Sequence, residues 1–223
     1  MGLFGLEILN EELVDIISTT FQMAFTSTLI SATLGIPLGL LLERTNSRIK
    51  KPLVTINQTM MSLPPVVAGL IVYLLLMRNG VFGTFGWLFT LTAMIVAQTM
   101  LIMPIISGMT YTIASAQADN IYNFAHTIGA SKWQTFRLLL KELGSDFYFI
   151  IIAGFSRALS EVGAIMIVGG NIRFRTRTMT TSIAMLRNQG EINQGIYLGV
   201  ILLVLFLLLQ LISGRLRRRS VMN

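Results

Sequence analysis

Five apolar runs alternate with short polar segments along the chain, at about residues 13–42, 53–77, 87–106, 147–169 and 194–213. A helix needs about twenty residues to cross the hydrocarbon layer of a bilayer, so the pattern predicts an all-α integral membrane protein of about five spans. The first run is over-long for one crossing, which implies tilt, a kink or a part outside the membrane. Gly35, Pro37 and Gly39 make its end flexible. In the second, Pro64 and Pro65 remove backbone donors at mid-run, so the helix must bend or break there. The freed carbonyls need partners inside the protein or in water, so the break is expected to face the bundle or a cavity. A pathway element and a packing kink both satisfy that requirement. The third run carries Gln98 and Thr99 near its centre and Pro104 near its inner end; a buried glutamine there suits interhelical hydrogen bonding.

The fourth run holds Arg157 and Glu161, four residues apart and therefore on one face of a continuous helix. A charge at mid-bilayer costs roughly 2.5–3.5 kcal/mol on insertion scales, so both should point inward and satisfy each other or a neighbouring span. An ion pair that pins the bundle is one reading, and a place in a translocation path is the other. Ser156, Ser160 and Gly163 beside them would admit a second backbone or line a narrow passage. The fifth run is almost purely aliphatic and suits a lipid-facing or packing helix.

Composition agrees with this class: 53% of residues are hydrophobic, 12% are charged and the mean hydropathy is +0.71. The net charge of +7 does not point to nucleic acid, because the cations lie beside the apolar runs and not along one soluble face. Arg44, Arg48, Lys50 and Lys51 follow the first run, Lys132, Arg137 and Lys141 the third, and Arg215, Arg217, Arg218 and Arg219 the fifth. By the positive-inside rule these segments are cytoplasmic, which gives an N-out, C-in topology. The absence of cysteine excludes disulfides and thiolate chemistry, and the lone His126 leaves no metal cluster to expect. No G-x-x-x-x-G-K-[ST] phosphate-binding loop occurs, so no cofactor is expected on this chain and any ATPase must be a separate subunit. No catalytic set is evident, and an enzyme is not expected.

Between the third and fourth runs lies a polar stretch, YNFAHTIGASKWQTFRLLLKEL, from Tyr122 to Leu143. Gly129 separates two helical segments, and Ser131 is placed to cap the second with its hydroxyl. Phe124, Ala125 and Ile128 can share a face of the first segment, and Trp133, Phe136 and Leu140 a face of the second. The prediction is a helix-turn-helix with an apolar face outside the lipid. Beyond the fourth run, VGGNIRFRTRTMTTSI places Asn171, Arg173, Arg175 and Arg177 before Thr178, Thr180 and Thr181, on the side where topology disfavours cations. A solvated loop would tolerate them. An attractive vestibule would use them, since guanidinium and hydroxyl donors suit tetrahedral oxyanions.

The pattern A-x-x-x-G-A-S-x-W-x-x-F, read at Ala125, Gly129, Ala130, Ser131, Trp133 and Phe136, resembles the cytoplasmic coupling loop of ABC-importer permeases. Asn123 and Phe124 stand where that family has Glu and Ala, and Lys141–Glu142 replaces its Leu–Pro ending. GFSRALSEVGAIMIVGGNIRFRTRTMTTSI and SLPPVVAGLIVYLLL resemble the oxyanion branch, closest to the tungstate type, with molybdate and sulfate permeases as relatives. The resemblance implies a type I permease fold, with residues 1–223 as one transmembrane domain and a coupling loop at about 113–143. It implies a multi-pass protein of a prokaryotic cell membrane, paired with a second copy of itself. It also implies a cytoplasmic ATPase that holds ATP–Mg and an extracytoplasmic oxyanion-binding protein. Arg157 to Gly163 would belong to a pore-lining helix. The alternatives are a molybdate or sulfate permease, or an ion-coupled transporter or channel that uses Arg157–Glu161.

Overall fold

The computed structural model describes the backbone of residues 3–45 and 47–221, and the side-chain surroundings of residues 11–45 and 48–211. Arg215, Arg217, Arg218 and Arg219 lie outside the side chains described. Among the described residues the structure is all helical. The elements are α1 (Leu3–Arg44), α2 (Ser47–Met61), α3 (Pro65–Leu76), α4 (Leu91–Thr127), α5 (Lys132–Glu142), α6 (Gly144–Ser160), α7 (Gly163–Gly169), α8 (Met179–Gln189) and α9 (Ile192–Val221). Glu11–Arg44, Leu91–Thr127 and Ile192–Leu211 are each long and apolar enough to span a membrane. Two bent pairs, α2 with α3 at 97° and α6 with α7 at 60°, bring the number to five when each counts as one span.

The frame of the molecule is α1 against α4, the most extensive helix pair. Glycine sets their separation: a Cβ on Gly39 would meet the Ser107 carbonyl at 2.5 Å, and one on Gly35 the Ile106 side chain at 3.0 Å. Several serines and threonines of α1 bond back to their own helix, as Thr20 does to the Ile16 carbonyl and Ser27 to that of Met23. Such bonds satisfy hydroxyls in a bundle that offers little water, while the buried hydroxyls of Thr28 and Ser31 find no partner within this chain. The third span is much longer than the apolar run that announces it, because α4 passes Pro104 and continues to Thr127. Ser107 and Thr110 end the hydrophobic run in sequence, yet both are fully buried against α1. At 1.5 Å per residue, α4 is about 55 Å long, so it carries its last turns beyond any bilayer.

The fourth run does not make one helix. α6 stops at Ser160, Glu161 and Val162 leave the helical conformation, and α7 restarts at Gly163. Arg157 and Glu161 therefore do not share the face of a continuous helix. The segment expected to be an outer loop also differs: residues 171–175 are largely exposed, while 176–182 turn back into the bundle and open α8. The fifth run forms one helix, α9, most of whose residues from Ile192 to Leu211 are exposed, with Leu198 and Leu202 buried against the rest of the chain.

Candidate functional site: a helix break between two loop clusters

The two helix breaks meet. α3 begins at Pro65 and α7 at Gly163, and a Cβ added to Gly163 would lie 3.0 Å from the Val66 side chain. One turn further, a Cβ on Gly69 would stand 2.7 Å from the Ala164 Cα, so only glycine lets these two half-helices touch. Their N-termini open toward the same region, and helix N-termini carry partial positive charge. Glu161 answers it. Its Oε1 accepts from the Val162 and Gly163 amides at 3.1 and 3.0 Å, and its Oε2 lies 3.1 Å from an Arg157 Nη. Glu161 is 4% exposed and the Arg157 side chain 40% exposed, with Ser160 exposed beside them. The expected ion pair is thus present. Its second task, satisfying the amides of a restarted helix, is invisible while the run is read as continuous.

Neighbouring helices hold this break from behind. Gln98, fully buried, donates to the Ala158 carbonyl at 3.1 Å. The Thr180 hydroxyl donates to the Glu161 carbonyl at 2.8 Å. Thr178 and Thr181 make a reciprocal capping box at the start of α8, and the Met179 amide donates to the Thr20 hydroxyl at 2.9 Å. In this conformation Thr178, Thr180 and Thr181 are buried and do not line an open passage. Their hydroxyls satisfy a helix start and a broken helix end, because a re-entrant backbone needs partners inside the protein.

At one end of α1, Glu12 ties down the arginine segment. Its carboxylate receives Arg173 through Nε at 3.1 Å and Nη2 at 2.7 Å, and Arg177 through Nη1 at 2.6 Å. A cavity of about 530 Å³ opens beside this cluster, with Ser182, Gln194 and Tyr197 among its walls. Arg175 is exposed and, among the described residues, has no carboxylate in ion-pair range. Asn171 stands in the left-handed region at φ 51 and donates to the Met185 sulfur at 3.4 Å. The arginines are therefore not three equivalent free cations. Sequence separation hides this, because Glu12 is more than 160 positions away; the acidic stretch it belongs to was its only signal.

At the other end, α4 closes with the Ala130 amide on the Ala125 carbonyl at 2.9 Å and the Gly129 amide on that of His126 at 3.1 Å. This is a Schellman ending, with Gly129 at φ +67, where a side chain would be strained. Ser131 then caps α5 in a reciprocal box with Gln134. Phe124, Ile128 and Trp133, on either side of the Gly129 turn, are exposed at 57%, 60% and 71%. Ala125 is instead buried at the foot of α4. Phe136 is half-buried, its ring centroid 5.9 Å from that of Trp133, and Leu140 packs inward.

The arrangement has known counterparts. The family described as "Binding-protein-dependent transport system inner membrane component" is matched by residues 35–221. The tungstate uptake system permease protein TupB of Peptoclostridium acidaminophilum is 39% identical over 88% of this chain and 86% of its own. TupB of Campylobacter jejuni is 32% identical over 77% of this chain and 72% of its own. Among solved structures, a chain of a bacterial alginate ABC transporter, in complex with an alginate pentasaccharide-bound periplasmic protein, aligns with a TM-score of 0.75. It is 20% identical over 99% of this chain and 84% of that one, and shares the fold. Profile, relatives and architecture agree, and the chain belongs to the family of inner membrane components of binding-protein-dependent transport systems.

Proposed function

We propose that this chain is the membrane-spanning subunit of an ATP-driven importer for a tetrahedral oxyanion, with tungstate as its substrate. The observation that carries the substrate is the 39% identity to a tungstate uptake permease over 88% of the chain. The Gly129 turn and the exposed Trp133 supply a docking surface for a separate ATPase, which holds the ATP–Mg. The cations around Arg44 and Lys132 lie at the same end as that turn, and on the positive-inside rule this end is cytoplasmic. The arginine segment then faces outward, toward an oxyanion-binding protein. The alginate transporter complex supports a partner of that kind.

Transport needs a path, and one copy of this chain leaves the relevant faces open. Val66, Val67 and Leu70 are exposed on α3 beside the break, as is Ser160. A second identical chain about a twofold axis would cover them and place two copies of Arg157, Ser160, Glu161 and Gly163 across a central passage. Weak holding of the anion is required there, because a tightly bound substrate could not leave inward. Glu161 serves this by compensating the helix N-termini and Arg157, so the passage is polar without being strongly cationic.

The test is ATP hydrolysis by the assembled permease, ATPase and binding protein. Tungstate-loaded binding protein should stimulate it several-fold over the empty protein. Equal hydrolysis with loaded and empty binding protein would exclude tungstate as the transported species.

A further inference from the structure

We propose that Glu43 and Arg44, the last residues of α1, are positioning residues that carry movement of the docking loop into α1 and α2. The proposal rests on the reading of that loop as the seat of an ATPase. Glu43 is only 9% exposed, and its Oε2 accepts from the Tyr122 hydroxyl at 2.8 Å. Arg44 lies over the Phe136 ring, with its guanidinium carbon 5.4 Å from the centroid. Tyr122 belongs to α4 before the Gly129 turn and Phe136 to α5 after it. Two consecutive residues of α1 thus hold both arms of the helix-turn-helix.

The grip extends to α2. Lys50 donates to the Glu43 carbonyl at 2.8 Å and places its ammonium 5.6 Å from the Tyr111 ring centroid. Beneath these polar contacts lies an apolar floor of Leu40, Ala114, Ile121, Leu139 and Leu143, all buried. Packing alone would be served as well by apolar side chains, since a buried ionic group is weak evidence for stability. What the polar contacts add is direction: a hydrogen bond and a cation over a ring each fix one arm at a defined angle. α2 leads to the Pro64–Pro65 break, so a shift of the loop reaches the break through one short helix.

The test uses the permease–ATPase complex with its binding protein in vesicles, and reads anion transported per ATP hydrolysed together with affinity for the ATPase. Tyr122→Phe removes one oxygen, and Arg44→Leu removes the cation. Both should retain the ATPase at unmodified affinity while transport per ATP falls roughly fivefold or more, within the usual range of coupling between sites. Arg44→Lys should recover most of the loss, because an ammonium keeps the cation–ring contact. If Arg44→Leu accumulates poorly, Tyr122→Phe carries the test. Unchanged transport per ATP in Tyr122→Phe would overturn the proposal. So would loss of ATPase affinity equal to that of Trp133→Ala, which would place the pair in the dock itself. Failure of the docking reading shows separately, as Trp133→Ala binding the ATPase normally.

Discussion

At the scale of residues, Glu161 has the most to satisfy. It is the acceptor for a restarted helix and the partner of Arg157, and its own carbonyl is held by Thr180. Glu161→Ala removes both side-chain contacts and should cost ~1–3 kcal/mol of stability, since it leaves the Val162 and Gly163 amides without their acceptor. Arg157→Gln should cost less, because that side chain is 40% exposed and water can take over part of its role. Thermal unfolding of the purified complex ranks the two. Equal midpoints for Glu161→Ala and the unmodified protein would refute the capping role. The pair was legible in the sequence as two charges four apart in an apolar run. The break between them was not, because Ser160, Glu161 and Val162 carry no proline and glycine enters only at Gly163. Glycine at a restart looks the same, in sequence, as glycine in a close helix crossing.

At the scale of elements, the turn at Gly129 and the Ser131 cap were legible in the sequence, and for a physical reason: their signals are local. Gly129 in the left-handed region and the Ser131–Gln134 box each act within a few positions. Elements that depend on distant partners were read less well. α4 runs to Thr127 because α1 covers its serine and threonine, and α8 exists because Thr20 and Glu161 accept its buried start. The Pro64–Pro65 break was correct in kind, and its facing break in α6–α7 was missed. Gly129→Leu forces a branched side chain into a left-handed conformation, at a cost of roughly 1–2 kcal/mol, although a Cβ there meets no neighbour within 4 Å. Trp133→Ala removes the most exposed aromatic of this loop and should weaken ATPase binding by ~2 kcal/mol or more. Titration of the permease with isolated ATPase reads both changes. Wild-type affinity in the two variants would remove the loop from the interface.

At the scale of the whole molecule, α1 joins the two ends. Glu12 fastens the arginine segment at one end, and Glu43 and Arg44 meet the α4–α5 turn region at the other, about 46 Å away along an ideal helix. Glu12 offsets one of the three arginine charges, so Arg175 is the cation of this segment left without a carboxylate among the described residues. Arg175→Gln should slow uptake most at low ionic strength, and the difference should shrink as salt shortens the screening length to about 10 Å at 0.1 M. Arg173→Gln and Arg177→Gln should instead act through the tie to α1, with little dependence on salt. Salt-independent uptake in the Arg175 variant, equal to that of the unmodified protein, would leave the segment a solvated loop.

The central claim is that this chain, with a separate ATPase and an oxyanion-binding protein, moves tungstate inward at the expense of ATP. The most direct measurement is accumulation of tungstate inside vesicles that hold the purified complex, with binding protein outside and ATP–Mg enclosed. Accumulation that requires ATP and the binding protein, and that is abolished when Gly129→Leu frees the ATPase, is the predicted result. Tungstate entry that proceeds without ATP, or none in the presence of all three components, would contradict it.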